Sequence, residues 1–202
     1  MSALSIARAL PARLDAFHAW RARAGVLETL LLAVLVATGT GLLAQVRLPL
    51  PWTPVPVTGQ TFAVLLSGVL FGRRAGPWGQ ALYLGLGAAG LPWFAGATGG
   101  LAVLAGPTAG YCAGFVIAPL VLGLVVERVP RRVGPLFVLL LAASILLVHL
   151  PGLLGLALWQ HGLGLHPTVP GLLAMGLLPF LPGEMVKVAG VALTARVLGP
   201  RR

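Results

Sequence analysis

The sequence predicts an all-α integral membrane protein, a six-transmembrane-helix bundle with both termini in the cytoplasm. Of the 202 residues, 58% are hydrophobic and only 9% are charged, and the mean hydropathy is +0.97. A soluble domain with a polar surface does not have such a composition. The apolar runs are long and lack the period-two alternation of barrel strands, so they indicate helices. The basic residues lie between these runs, where they set membrane orientation rather than bind nucleic acid.

The first region, residues 1–24, differs in kind from the rest. Leu10, Leu14, Phe17 and Trp20 recur at helical spacing, and four arginines lie between positions 8 and 23. This pattern favours a basic amphipathic helix on the inner membrane face, with a floppy basic tail as the alternative. Residues 25–202 are predicted to form a single transmembrane domain.

The six predicted spans of that domain are bounded by Gly, Pro and Arg. In order they are 26–46, 58–72, 75–91, 107–126, 133–158 and 169–195. The second and third are short, so a re-entrant hairpin is an alternative to two full crossings. The fifth contains Pro151 and Gly152, where we expect it to end or kink.

Charge placement supports an even number of spans. With the N-terminus inside, 12 of the 14 basic residues fall on the cytoplasmic side: Arg8, Arg13, Arg21, Arg23, Arg73, Arg74, Arg128, Arg131, Arg132, Arg196, Arg201 and Arg202. Of the other two, Arg47 lies at the outer end of the first span and Lys187 lies within the last. An odd number of spans would expose an arginine pair on the outside, against the positive-inside rule.

Two outer connections have a specific composition. Residues 48–58 hold four prolines and are predicted to be extended and stiff. Residues 91–111 carry aromatic rings, glycines and hydroxyls but no charge. They suit a lid over a mostly apolar, uncharged ligand, and interfacial aromatics on a flexible turn are the alternative.

Glu184 and Lys187 are the only acid and base between residues 133 and 195. A charge at the centre of a membrane helix costs about 2.5–3.5 kcal/mol, and the i,i+3 spacing places both on one helix face. We expect the function to lie here. A self-neutralising structural pair, or a snorkelling lysine, is the alternative.

Other classes of protein lack their signatures in this sequence. There is no Gly-x-Ser-x-Gly motif, no clustered metal ligands and no Walker-type phosphate loop. The single cysteine, Cys112, provides neither a disulfide nor a metal site. We therefore expect no catalytic residue, no metal, no cofactor and no ATPase site.

Five motifs occur in order along the chain. They are TGQTF at 58–62, GLPWFAG at 90–96, GGL at 99–101, GPTAGY at 106–111 and LPGEMVK at 181–187. In these motifs the chain resembles the BioY family, the biotin-specific substrate-binding (S) components of energy-coupling factor (ECF) transporters. The resemblance implies a six-helix S-component fold in the cell inner membrane, with high-affinity capture of biotin from outside.

The same resemblance implies partners for the chain. These are a transmembrane T component and two ATP-binding subunits, with homo-oligomerisation left open. The alternative is a stand-alone secondary carrier for a small vitamin-like solute, in which Glu184 takes part in proton coupling.

The resemblance also nominates a substrate-binding site. An ionised Glu184 accepts the ureido N–H groups of biotin, and Lys187 donates either to the ureido oxygen or to the carboxylate. Neutral hydrogen bonds and apolar packing are assigned to a second set: Gln60, Thr61, Thr98 and Tyr111 for the former, and Trp93, Phe94 and Tyr83 for the latter. The chain departs from its relatives at Glu184, where many have Asp, and at Thr61 and Thr98, where some carry Asn or Arg.

A partner interface is predicted on the first span. Ala33, Ala37 and Gly41 repeat every four residues on one face, a pattern that lets another helix approach closely in lipid. Related S components are thought to dock their T component in this way. Packing within the chain's own bundle is the alternative.

Overall fold

The computed structural model describes residues 3–129 and 132–199, with side chains from residue 12 onward except at position 127. The chain is helical, as predicted. Its helices are α1 (Ala3–Arg23), α2 (Val26–Ala44), α3 (Gln60–Ala88), α4 (Leu101–Leu104), α5 (Ala109–Val125), α6 (Val133–Ala143), α7 (Leu150–Gly162), α8 (Val169–Gly176) and α9 (Leu181–Leu198). A small antiparallel pair, β1 (Arg47–Leu48) and β2 (Val57–Thr58), lies in the connection between α2 and α3.

Three described helical stretches are long and apolar enough to cross a membrane. They are Val26–Ala44, Val133–Gly162 and Val169–Leu198, and α5 is an apolar helix somewhat shorter than these. They correspond to the first, fifth, sixth and fourth predicted spans. Of the basic residues used to orient the chain, Arg131, Arg201 and Arg202 lie outside the described residues.

The second and third predicted spans form one element, α3, which folds back on itself. The break is at Gly72, whose φ of 72° and ψ of −169° are not helical and suit glycine. Gln60 and Tyr83 are joined by a hydrogen bond of 2.9 Å, although a straight helix would separate them by about 35 Å. The segments 60–71 and 73–88 therefore run antiparallel as a helical hairpin, which agrees with two short crossings as well as with a re-entrant hairpin.

The first helix is tied to the turn of this hairpin. The Arg21 guanidinium donates to the carbonyl of Leu70 at 2.6 Å, which satisfies an acceptor released by the break at Gly72. The His18 ring lies 2.8 Å from the carbonyl of Leu198, at the end of α9. One end of the bundle thus carries α1 and the arginines that follow Gly72.

The predicted break at Pro151 is accommodated without ending the helix. Proline removes one backbone hydrogen bond and its ring clashes with the carbonyl four residues earlier. The stretch Ser144–His149 widens into a π-turn just before it, and α6, this turn and α7 continue as one stretch of 30 residues. Ser144 and His149 are both buried as a result.

The small residues proposed to face a partner are already covered inside the chain. Ala33 and Ala37 are each 1% exposed, and a Cβ on Gly79 of α3 would lie 2.9 Å from the Ala33 carbonyl. Gly41 packs under the indole of Trp93, 3.1 Å from where a Cβ would be. We therefore correct the prediction: the close approach that these residues permit is used by α2 and α3, which was the alternative.

Two clusters of buried side chains divide the bundle. One packs Leu65, Leu122, Leu140 and Val188, each with no exposed surface, at the level of α9 beyond Glu184. The other is rich in aromatic rings, and its members Tyr83, Phe94, Tyr111, Phe115 and Phe180 form the walls of a cavity.

Candidate functional site

A cavity of about 400 Å³ lies among the aromatic residues, within the range of small-molecule sites. Its walls come from two connections, at residues 54–58 and 94–108, and from α3, α5, the π-turn and α9. The hairpin brings the start and the end of α3 together here, about 18 Å from the turn at Gly72. The cavity is thus at the opposite end of the bundle from α1.

Glu184 and Lys187 line this cavity and form a salt bridge with each other. The Glu184 side chain is 1% exposed and that of Lys187 is 15% exposed. Glu184 lies in the first turn of α9, where the helix dipole favours a negative charge. The Lys187 ammonium also donates to the carbonyl of Thr58 at 3.0 Å, which ties α9 to β2.

Ser144 completes the environment of the carboxylate. Its hydroxyl donates to Glu184 Oε2 at 2.7 Å, while Oε1 pairs with Lys187. Each carboxylate oxygen thus has one partner, and a carboxylate offers about four acceptor sites in all. Glu184 keeps the capacity to accept two hydrogen bonds from a ligand. The π-turn delivers Ser144 to this position, a contact that helical periodicity did not predict.

His149, at the other end of the π-turn, also lines the cavity. Its Nδ1 lies 3.1 Å from the carbonyl of Ser144, which can only accept, so Nδ1 carries the proton. A neutral ring then presents Nε2 as an acceptor. The ring stacks edge-on to Tyr111 and is tilted against Phe180. The sequence carried one signal for it, since it is the one histidine well inside a predicted span.

The neutral polar residues of α3 form a chain of hydrogen bonds beside the ion pair. Gln60 Oε1 accepts from the Thr58 hydroxyl at 2.8 Å, and its Nε2 donates to the Tyr83 hydroxyl at 2.9 Å. Gln60, Thr61 and Tyr83 all line the cavity and are buried. The amide of Gln60 is therefore held rigidly, which favours a wall of fixed shape.

The connection between α3 and α5 covers the cavity. Phe94 is 3% exposed and packs edge-on against Tyr83, with ring centroids 5.3 Å apart. Thr98 lines the cavity from an exposed position, and its carbonyl accepts from the Phe94 amide at 2.9 Å. The cavity is also lined by Ala102 and Val103 of α4 and by Gly106, which follows that helix.

The polar groups of Trp93 and Tyr111 are hydrogen-bonded to backbone carbonyls of the protein itself. The Trp93 indole donates to the Tyr83 carbonyl at 2.9 Å, and Trp93 does not line the cavity. The Tyr111 hydroxyl donates to the Gly176 carbonyl at 2.6 Å, so this residue offers the cavity its ring rather than its hydroxyl. Of the nine predicted substrate-binding residues, all but Trp93 surround the cavity.

Several other lining residues were not among the predicted site, and Cys112, Phe115 and Arg47 are three of them. Cys112 and Phe115 are on the same wall as Tyr111, because α5 presents them at helical spacing. Arg47 lines the cavity from β1, although it is exposed. The sequence did mark Arg47 as a basic residue on the outer side, which is the signal that could have identified it.

Comparisons with known proteins identify relatives of the chain. A family model described as the BioY family matches residues 14–201. A probable biotin transporter BioY of Methanothermobacter thermautotrophicus is 44% identical over 141 residues, 67% of this chain and 88% of the relative. A biotin transporter BioY of Rhizobium etli is 33% identical over 177 residues, 86% of this chain and 91% of the relative.

A solved structure shares the fold. It is described as the S-component for biotin from an ECF-type ABC transporter, and it superposes with a TM-score of 0.72. The match covers 84% of this chain and 89% of that one, at 24% sequence identity.

Proposed function

The chain belongs to the BioY family, and on that premise we propose that it captures biotin from outside the cell as the substrate-specific component of an ECF-type vitamin transporter. The observation that carries the proposal is the buried Glu184–Lys187 pair lining a largely apolar cavity of about 400 Å³. A largely apolar cavity with one fixed ion pair suits a ligand that is apolar over most of its surface and polar at one end.

Biotin has this chemistry. Its ureido group presents two N–H donors and a carbonyl, and its sulfur-containing ring is apolar. Glu184, with two acceptor sites left, receives the N–H groups, and Lys187 has one ammonium proton left for the ureido oxygen. Phe94 and Phe115 offer apolar surface for the ring. The unprotonated nitrogen of His149 is a further acceptor beside Glu184.

The proposed topology has six crossings, with both termini in the cytoplasm and the cavity open to the outside. The two connections that cover the cavity are the ones predicted to be outside. At the other end of the bundle lie α1 and the pair Arg73 and Arg74, which the positive-inside rule assigns to the cytoplasm. In this topology the two halves of α3 are two short crossings.

The proposed partners are a transmembrane T component and two ATP-binding subunits in the plasma membrane. Support comes from family membership and from the similar solved protein, which is described as a component of an ECF-type ABC transporter. Energy for uptake then comes from the partners, and this chain supplies capture and selectivity.

Calorimetric titration of the detergent-purified chain tests the substrate. We expect tight binding of biotin, weaker binding of desthiobiotin, which lacks the sulfur ring, and none of riboflavin or thiamine. Equal binding of the unrelated vitamins, or no binding of biotin, would contradict the proposal.

Transport by the chain alone separates the two modes of action. In proteoliposomes we expect equilibrium binding of biotin without accumulation until the T component, the ATP-binding subunits and ATP are added. Proton-driven accumulation by the isolated chain would favour a secondary carrier. That outcome would leave the substrate assignment intact and remove the need for partners.

A further inference from the structure

The positive and negative charges of the side chains that line the cavity do not sum to zero. They are Glu184, Lys187 and Arg47. Lys187 is neutralised by Glu184, and no carboxylate among the described side chains pairs with Arg47. With His149 neutral, the lining carries a formal charge of +1, and that charge belongs to Arg47. A cavity with one uncompensated cation is complementary to a ligand with one negative charge.

Arg47 is at the open end of the cavity, whereas Glu184 is at its buried end. Arg47 is exposed, while the Glu184 side chain is 1% exposed. In the β-pair the Cα of Arg47 is opposite that of Thr58, the residue whose carbonyl accepts from Lys187. Arg47 and Lys187 therefore lie on either side of β2. Lys187 forms a salt bridge with Glu184, whereas Arg47 forms no salt bridge with any described side chain.

The second outer connection passes close to the guanidinium of Arg47. The loop passes over Arg47 at Gly96, where a Cβ would overlap the Nη1 atom. Gly96 also has a φ of +79°, so the position requires glycine for its backbone and for the space that Arg47 fills. The arginine side chain thus runs from β1 to the loop at Gly96, where it stays exposed.

Gln45 fixes that loop to the end of α2, two residues before Arg47. Its Nε2 donates to the carbonyls of Trp93 and Phe94 at 3.1 and 3.2 Å, and its Oε1 accepts from the Ala97 amide at 3.0 Å. These three bonds hold the loop on both sides of Gly96. The loop beside the guanidinium is therefore fixed to the end of α2.

We propose that Arg47 binds the carboxylate of the substrate at the open end of the cavity, while the ureido end meets Glu184 and Lys187. The inference rests on the proposed function and orients the ligand within it. A guanidinium can hold a carboxylate through two parallel N–H···O bonds, which an ammonium cannot do. Arg47 would then select the free acid over derivatives in which the carboxylate is amidated.

The test is a titration of wild type and Arg47→Gln with biotin and with biotinamide, the neutral amide of the same molecule. Wild type should bind biotin roughly tenfold more tightly than biotinamide, the effect of one charge-assisted contact at an exposed site. Arg47→Gln should lose that factor for biotin and keep its affinity for biotinamide. Arg47→Lys should lie between the two, and Arg74→Gln, which removes a charge near the turn at Gly72, should behave as wild type.

The amide also reports on folding, because a misfolded variant would bind neither ligand. A loss of equal size for both ligands in both Arg47 variants would show that Arg47 only supports the loop, and would overturn the inference. Unchanged biotin affinity in Arg47→Gln would overturn it as well. In both cases wild type still binds biotin, so the proposed function stands. Wild type that binds no biotin would contradict the proposed function, and this inference with it.

Discussion

Replacement of Gly79 by alanine tests the packing of α2 against α3, which determines whether the small residues of α2 are available to a partner. The added methyl group would overlap the side chain of Val36 and lie 2.9 Å from the carbonyl of Ala33. Neither neighbour can turn away cheaply, since Val36 is 5% exposed and the carbonyl belongs to the helix backbone. Overpacking of this kind costs about 1–3 kcal/mol, and the higher helix propensity of alanine offsets up to about 1 kcal/mol of it.

We therefore expect Gly79→Ala to destabilise the protein by roughly 1–2 kcal/mol. At about 2–4 °C per kcal/mol for a chain of this size, the Tm in detergent should fall by a few degrees. Gly85→Ala is the matched control on the same half of α3, because nothing lies within 4 Å of its Cβ. That variant should be as stable as wild type or slightly more stable. If the two variants melted together, the close contact between α2 and α3 would not exist, and Ala33 could again face a partner.

Two further predictions concern the cavity. Ser144→Ala should weaken biotin binding by roughly tenfold in calorimetry, because it removes a buried hydrogen bond to Glu184 worth about 1–1.5 kcal/mol. Ser67→Ala is the control and should bind biotin as wild type does, because the Ser67 hydroxyl donates to a carbonyl of its own helix. Equal losses in the two variants would mean that Ser144 does not support Glu184. Biotin should slow hydrogen exchange in α4 (Leu101–Leu104) and less so in residues 93–97, which Gln45 already anchors. Equal exchange with and without saturating biotin would mean that α4 is a fixed plug and not a lid.

The sequence predicted the helices and the ion pair because both depend on strong local signals. The apolar run 26–46 is long enough to predict a membrane-spanning helix, and the bounds of α2 agree with it to within two residues. Glu184 and Lys187 stand out because charges are rare in such runs. Their i,i+3 spacing predicted that both lie on one helix face, and the structure joins them in a salt bridge, which the sequence left as the alternative.

The remaining features depend on contacts between distant segments. The spacing of the small residues in α2 is the same whether a partner helix or α3 packs against them. Only the structure shows that Gly79 of α3 packs against Ala33. The aromatic composition of its loop predicted that Trp93 packs on the ligand. In the structure its indole N–H donates to the carbonyl of Tyr83 in α3 instead. The π-turn could not be foreseen beyond a kink at Pro151, so Ser144 was missed.

The most direct test of the account is a biotin titration of Glu184→Ala, Lys187→Ala and the double variant, with Glu184→Asp as the conservative control. Each single variant leaves a buried charge unpaired, so we expect losses of about 2–5 kcal/mol, or at least roughly 30-fold in affinity. The double variant should regain the stability lost by the singles without regaining binding, which separates ligand recognition from structure. Glu184→Asp should bind well. A well-folded Glu184→Ala or double variant that binds biotin within about threefold of wild type, roughly 0.65 kcal/mol, would contradict the central claim.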